Sequence, residues 1–212
     1  MIGISTNLLQ SSRLLLQASL DERRGGVWRS KENHATWYAP GVVVMIATAL
    51  DAWLTELLAS GRLHLDISAV YSKYERAAEL LFGTRIRAST DLEYVSKVRN
   101  EVVHFLPYTQ DITKRTVPDW LQYLDGHDLL IKAKKGAGVD FHFSQKLGSY
   151  RIAYWACETV YAAVQALEKH ARQTSNVMAD FIRADNFCVM AGIHSPDELP
   201  KYDKDHGLTI TT

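Results

Sequence analysis

Arg99, Asn100 and His104 lie within RNEVVH, the one run in this chain whose residue types and spacing suit a reaction. Arginine is a permanent cation that presents its donors in a planar fork and fits phosphate oxygens well. Histidine titrates near neutrality and can take up or release a proton. A cation holding phosphate oxygens beside an imidazole that works as acid or base is an arrangement for phosphate chemistry.

These residues need a helix to position them. Thr90-x-x-Glu93 reads as a capping box, and the helix it starts runs from about Asp91 to Phe105, stopping where Leu106 precedes Pro107. At about 100° per residue, Leu92, Val95, Val98, Val102 and Phe105 share one arc, the expected buried face. Lys97 and Glu101 point away from it, toward solvent. Arg99 falls inside the apolar arc, where an arginine needs an anionic partner or a water-lined cleft. Asp51 or Glu56 would supply such a partner, and Arg99 would then be structural, with His104 satisfying helix-end carbonyls. Asn100 and His104 stack on one flank. His104 lies roughly 140° around the axis from Arg99, so a shared site requires the arginine to swing, the helix end to loosen or a second copy of the protein to contribute. The free carbonyls at the helix end favour imidazolium at His104.

Helical periodicity dominates the rest of the chain. A leucine-rich helix spans about Asn7 to Glu22 and stops at Gly25 and Gly26. A second spans about Val42 to Ala59, with Met45, Ala49, Trp53 and Leu57 at helical spacing. A third starts at Asp66 as N-cap and closes at Gly83. Pro118 suits the first turn of a short helix, PDWLQYL. LLIKA and VDFHF flank KKGAG, and the alternation of Val139, Phe141 and Phe143 with Asp140 and His142 predicts a small β-hairpin. KKGAG lacks the order of a phosphate-binding loop and reads as a turn. A long helix follows, about Gln145 to Arg172, with Tyr150, Ala153, Tyr154, Cys157, Tyr161 and Val164 as its stripe. Its tyrosines and Trp155 read as core or dimer contacts. A short helix, about Ser175 to Met190, precedes a polar, loosely held tail over 192–212. The expected fold is all-α: one domain over 1–191, a bundle of four or more helices with a hairpin insertion.

Composition narrows the function classes. The protein has 212 residues, 47% of them hydrophobic and 23% charged, which is globular rather than disordered. Lys plus Arg and Asp plus Glu balance at 24 each, so no broad field draws the protein to a polyanion and any nucleic-acid contact is local. Cys157 and Cys188 match no metal spacing and make no disulfide framework, which points to a reducing compartment. The most apolar run, Gly41 to Leu50, stops at Asp51, short of the ~20 residues of a membrane span. Polar residues interrupt the N-terminal leucines, so no secretory signal is read. Cytoplasmic localisation, no metal and no cofactor are expected.

RNEVVH resembles the Arg-polar-x-x-x-His signature of the HEPN superfamily, small helical bundles that include metal-independent RNA endonucleases. Upstream, ATALDAWLTELL is similar to the acidic helix that often precedes the motif in that family. The resemblance covers about Val42 to Arg172. It implies Arg99 and His104 as catalytic, Asn100 as the polar residue assisting them, and Asp51 as a partner that orients Arg99. Arg85 and Arg87 lead into the motif helix and are candidates to guide RNA toward it. The resemblance also implies a homodimer. Cleaving RNA by attack of its own 2′-hydroxyl requires a base and an acid, which one His104 cannot be in a single step but two from a two-fold dimer can. The implied function is a toxin-like or defence endoribonuclease, with RNA as substrate and an antitoxin or regulatory protein as further partner. The alternatives are a non-catalytic dimerisation or RNA-binding scaffold of the same fold, and a helical subunit serving a separate enzyme such as a nucleotidyltransferase.

Overall fold

The computed structural model describes residues 3–25, 37–61, 63, 67, 69–104, 117–131, 146–174 and 176–205. Its elements are α1 (Ile4–Gly25), α2 (Ala39–Ser60), α3 (Val70–Phe82), α4 (Thr90–His104), α5 (Asp119–Gly126), α6 (Tyr150–Gln173) and α7 (Leu199–Asp205). Two 3-10 turns, Val177–Asp180 and Ala184–Phe187, lie between α6 and α7. Among the described residues there is no β-strand, so this part of the protein is an all-α bundle. The expected hairpin falls almost wholly on 132–145, outside the described residues. Leu129–Ile131 is irregular, and the Ile131 N–H donates to the Lys146 carbonyl at 2.9 Å.

The bundle is organised around α2, which packs against α1, α3, α4 and α6. Contact on several sides explains why α2 has no single stripe. Val42, Val43, Ile46, Ala47, Ala49, Leu50, Leu54, Leu57 and Leu58 are all buried, while the expected stripe members Met45 and Trp53 are half-buried. By length and composition alone this helix could cross a membrane, because it continues past Asp51, where the apolar run stops. Here it is the core of the bundle, and Asp51 at its middle is held by an ion pair to Lys73.

α1 lies close along α2 because its buried face carries Ser5, Ser12 and Ser19 at seven-residue intervals among Leu9, Leu16 and Leu20. Glu56 of α2 secures the start of α1. Its carboxylate accepts the Ser5 N–H at 3.2 Å and the Ser5 hydroxyl at 2.6 Å, satisfying a free helix-start donor. A Cβ at Gly3 would meet Glu56 Oε2 at 2.6 Å, so a larger residue at this entry requires the Glu56 carboxylate to shift. α3 ends as expected at Gly83, whose positive φ of 67° lets its N–H donate to the Glu79 carbonyl. Its first turn is at Val70, and Asp66 lies outside the described residues. Ser149 starts α6 by accepting the Ile152 N–H.

The C-terminal region departs from expectation. The single helix expected over 175–190 is instead the two 3-10 turns. The Asn176 side chain accepts the Met178 N–H and donates to the Leu81 carbonyl, closing the first turn early and tying it to α3. Ile182 and Phe187 are buried, and Phe187 packs edge-on against Trp53 with centroids 5.2 Å apart. The expected loose tail is also packed as far as Leu199. Ile193 and Leu199 are buried, and the Tyr150 hydroxyl donates to the His194 carbonyl at 2.7 Å.

If α2 is the centre of the core, Leu50→Ala should cost about 3 kcal/mol of unfolding free energy, through lost burial and a cavity. Leu14→Ala, at a side chain 71% exposed, should stay within about 0.5 kcal/mol of wild type. Urea denaturation checks both, and equal losses would contradict this packing.

Candidate functional site

α4 positions the motif, and its start is fixed at several points. Ser89, not Thr90, is the capping residue: its hydroxyl accepts the Leu92 N–H at 3.2 Å and its carbonyl accepts the Glu93 N–H. The backbone therefore enters the helix one residue earlier than the capping-box reading gives. In the first turn, Asp91 Oδ1 accepts the Tyr123 hydroxyl at 2.5 Å and the Trp155 indole N–H at 3.4 Å. These bonds tie the start of α4 to α5 and α6. The Asp91 bond, with burial, pushes the Tyr123 phenol up to about 12.

Leu92, Val95 and Val98 are buried as expected, and Ser96 joins them. Val102 is half-buried, and Phe105 lies outside the described residues. Lys97 is at the surface, paired with Glu93 at 2.6 Å and set over the Tyr94 ring. Glu101 departs from the expected solvated position. Its Oε2 is buried with no hydrogen-bond partner among the described residues, and burial holds the carboxyl above the usual carboxylate range.

Arg99 is half-buried on the apolar face, and among the described residues it takes no carboxylate. Its Nη1 donates to Asn100 Oδ1 at 2.8 Å, and its buried Nε has no partner among those residues. An amide oxygen satisfies a donor but leaves the cation's charge in place. Neither α2 carboxylate serves as its partner. Asp51 Oδ1 lies 2.5 Å from Lys73 Nζ, an ion pair outside hydrogen-bond alignment, and that ammonium also donates to Thr55 Oγ1 at 3.2 Å. Glu56 is held by Ser5. Asp51 thus orients Lys73, which corrects the expectation that it orients Arg99, and a structural pairing of Arg99 with Asp51 or Glu56 is not formed. His104 is the last residue of α4, five positions and roughly 140° on from Arg99. The structure thus brings Arg99 and Asn100 together and places Asp51 in a separate cluster.

The two loop arginines differ. Arg85 is tied to Glu75 at 2.9 Å, and the other Glu75 oxygen accepts the Ala88 N–H at 3.0 Å. The Arg85 bond is the largest of the interactions that hold the Glu75 carboxyl below its usual range. Arg85 therefore shapes the turn into α4, while Arg87 is exposed. Both cysteines are free, Cys157 in the core and Cys188 half-buried. Among the described residues no group of His, Cys, Asp and Glu could hold a metal ion.

Lys73 was missed in the sequence, though the signal that singles out Arg99 also marks it. With Val70, Tyr74 and Ala77 it forms the buried face of α3, a cation on an apolar stripe. The Asp91–Tyr123–Trp155 cluster carried no such mark, because its members come from separate helices.

The two kinds of cation predict different stabilities. Asp51→Ala strands a lysine whose side chain is 10% exposed and should cost about 3 kcal/mol. Lys97→Ala breaks a surface i,i+4 pair and should cost no more than about 0.5 kcal/mol. Arg99→Ala strands no carboxylate and should cost well under the Asp51 value. A loss for Arg99→Ala as large as for Asp51→Ala, by chemical denaturation, would contradict this assignment.

Comparison of the sequence and fold with protein-family models, with curated proteins and with solved structures finds no match, so the functional reading rests on the residues themselves.

Proposed function

We propose that this protein is a metal-independent endoribonuclease of HEPN type, toxin-like or defensive in role and cytoplasmic. In this reading Arg99 and His104 are catalytic, Asn100 assists, and the site is completed by a second copy of the protein. The observation that carries it is the state of Arg99: a half-buried guanidinium whose one hydrogen bond among the described residues goes to the Asn100 amide oxygen, with both α2 carboxylates engaged elsewhere. A cation left uncompensated at the edge of a core favours an anion from outside, and a phosphodiester supplies one.

The chemistry follows from the residue types. Arg99 holds the non-bridging oxygens of the scissile phosphate and stabilises the charge that builds on them during attack by the neighbouring 2′-hydroxyl. The Asn100 contact fixes the plane of the guanidinium. A neutral His104 takes the 2′-hydroxyl proton, while a protonated His104 from the partner copy gives one to the departing 5′-oxygen. The products are a 2′,3′-cyclic phosphate and a free 5′-hydroxyl. Activity requiring one histidine in each form peaks between two apparent pKa values and falls on either side.

Purified wild type should therefore cut a mixed single-stranded RNA in the presence of EDTA, and light scattering should show a dimer at micromolar concentration. Arg99→Ala and His104→Ala should each reduce cleavage by about 100-fold or more, the scale of losing a charge stabiliser or an acid–base group, with little change in melting temperature. Cleavage that stops in EDTA and returns with Mg²⁺ would overturn the mechanism. A wild type that cuts no RNA would leave the non-catalytic scaffold.

A further inference from the structure

A cavity of about 350 Å³ opens where the start of α4, the end of α5, the first half of α6 and the 195–197 turn meet. That volume is within the range, about 300–1,000 Å³, of sites that take small ligands. Its α6 wall is Arg151, Tyr154, Trp155 and Glu158. The spacing i, i+3, i+4, i+7 sets them on one face, with aromatic rings between a cation and an anion.

The two ends of this wall carry unlike and uncompensated charge. At one end Glu158 is near Asp197 of the turn, which also lines the cavity. Both carboxylates are exposed at the cavity rim; partial desolvation of Glu158 first, and then the Asp197 charge, raise the Glu158 carboxyl above its usual range, and no cation among the described residues offsets them. Seven residues earlier, about 10 Å along the axis, Arg151 makes no ion pair or hydrogen bond among the described residues. Asp91, a third carboxylate on the lining, accepts bonds from Tyr123 and Trp155. Carboxylates outnumber the arginine, so a plain anion is disfavoured. The lone guanidinium at the far end in turn disfavours a ligand that is cationic throughout.

We infer that this cavity binds a zwitterion of the basic amino-acid class, with its carboxylate on Arg151 and its side-chain ammonium or guanidinium between Glu158 and Asp197. The aliphatic stem crosses the rings of Tyr154 and Trp155, which also attract the cation. The same chemistry is offered by a free basic amino acid and by the last residue of a peptide. The site is separate from the Arg99 motif and does not depend on its assignment.

Calorimetric titration of the full-length protein near neutral pH with L-arginine, N-acetyl-L-arginine and agmatine tests this. L-arginine should bind one to one. Agmatine lacks the carboxylate and should bind about tenfold or more weakly, the loss of one charge-assisted pair. N-acetyl-L-arginine binding as well as arginine identifies the last residue of a peptide as the occupant, and weaker binding identifies the free amino acid. Glu158→Gln should weaken arginine and agmatine alike, whereas Arg151→Gln should remove the difference between them. Neither variant loses an ion pair, so circular dichroism should show both folded. No binding at millimolar arginine, or agmatine binding wild type as tightly as arginine, would overturn the proposal on the unmodified protein alone.

Discussion

Asp51 and Glu56 are the acidic residues of α2, the helix that the rest of the bundle surrounds, and each is already satisfied. Lys73 takes Asp51, joining α3 to the centre, and Ser5 takes Glu56, fixing where α1 begins. These contacts link three helices at the half-buried edge of the apolar core, where an unpaired carboxylate would be costly. Neither acid is the partner of Arg99, whose guanidinium on the apolar face of α4 is held, among the described residues, by the neighbouring amide.

The arrangement separates two jobs that a buried cation can do. Lys73 is a closed structural pair, short in distance and shielded from solvent. Arg99 is half-buried near the end of its helix, with an Nε that has no partner among the described residues. Rigid support comes from the other end of α4, where Ser89 caps the helix and Asp91 is clamped by Tyr123 and Trp155. In the proposed function this division serves Arg99, since the scaffold fixes the helix that carries the guanidinium. Glu101 adds a buried carboxyl oxygen on the same turn that has no partner among the described residues.

Much of this was legible in the sequence, for reasons that can be named. Leu92, Val95 and Val98 repeat at helical spacing because one face of α4 meets the core, and Gly83 marks the end of α3 because a left-handed residue is required there. The position of Arg99 on the apolar arc could be read from spacing alone. Its partner could not, because spacing says nothing about which neighbouring helix delivers a carboxylate and which carboxylate is already taken. The same limit hid the Asp51–Lys73 pair. The C-terminal segment reads as a helix because nothing in the spacing shows that Asn176, at its start, reaches across to the Leu81 carbonyl. Glu101 was misplaced because a wheel assigns solvent to every position off the apolar arc, whereas real helices are covered on more than one side.

The central claim is that Arg99 carries a charge that an RNA phosphate can use. The direct measurement is fluorescence anisotropy with a short 2′-O-methyl oligoribonucleotide, which presents phosphates but cannot be cleaved, titrated with wild type, Arg99→Ala and Arg99→Lys. Wild type should bind, alanine should weaken binding about tenfold or more, and lysine should restore part of it, since the charge returns without the planar fork. Equal affinity for wild type and Arg99→Ala would contradict the claim.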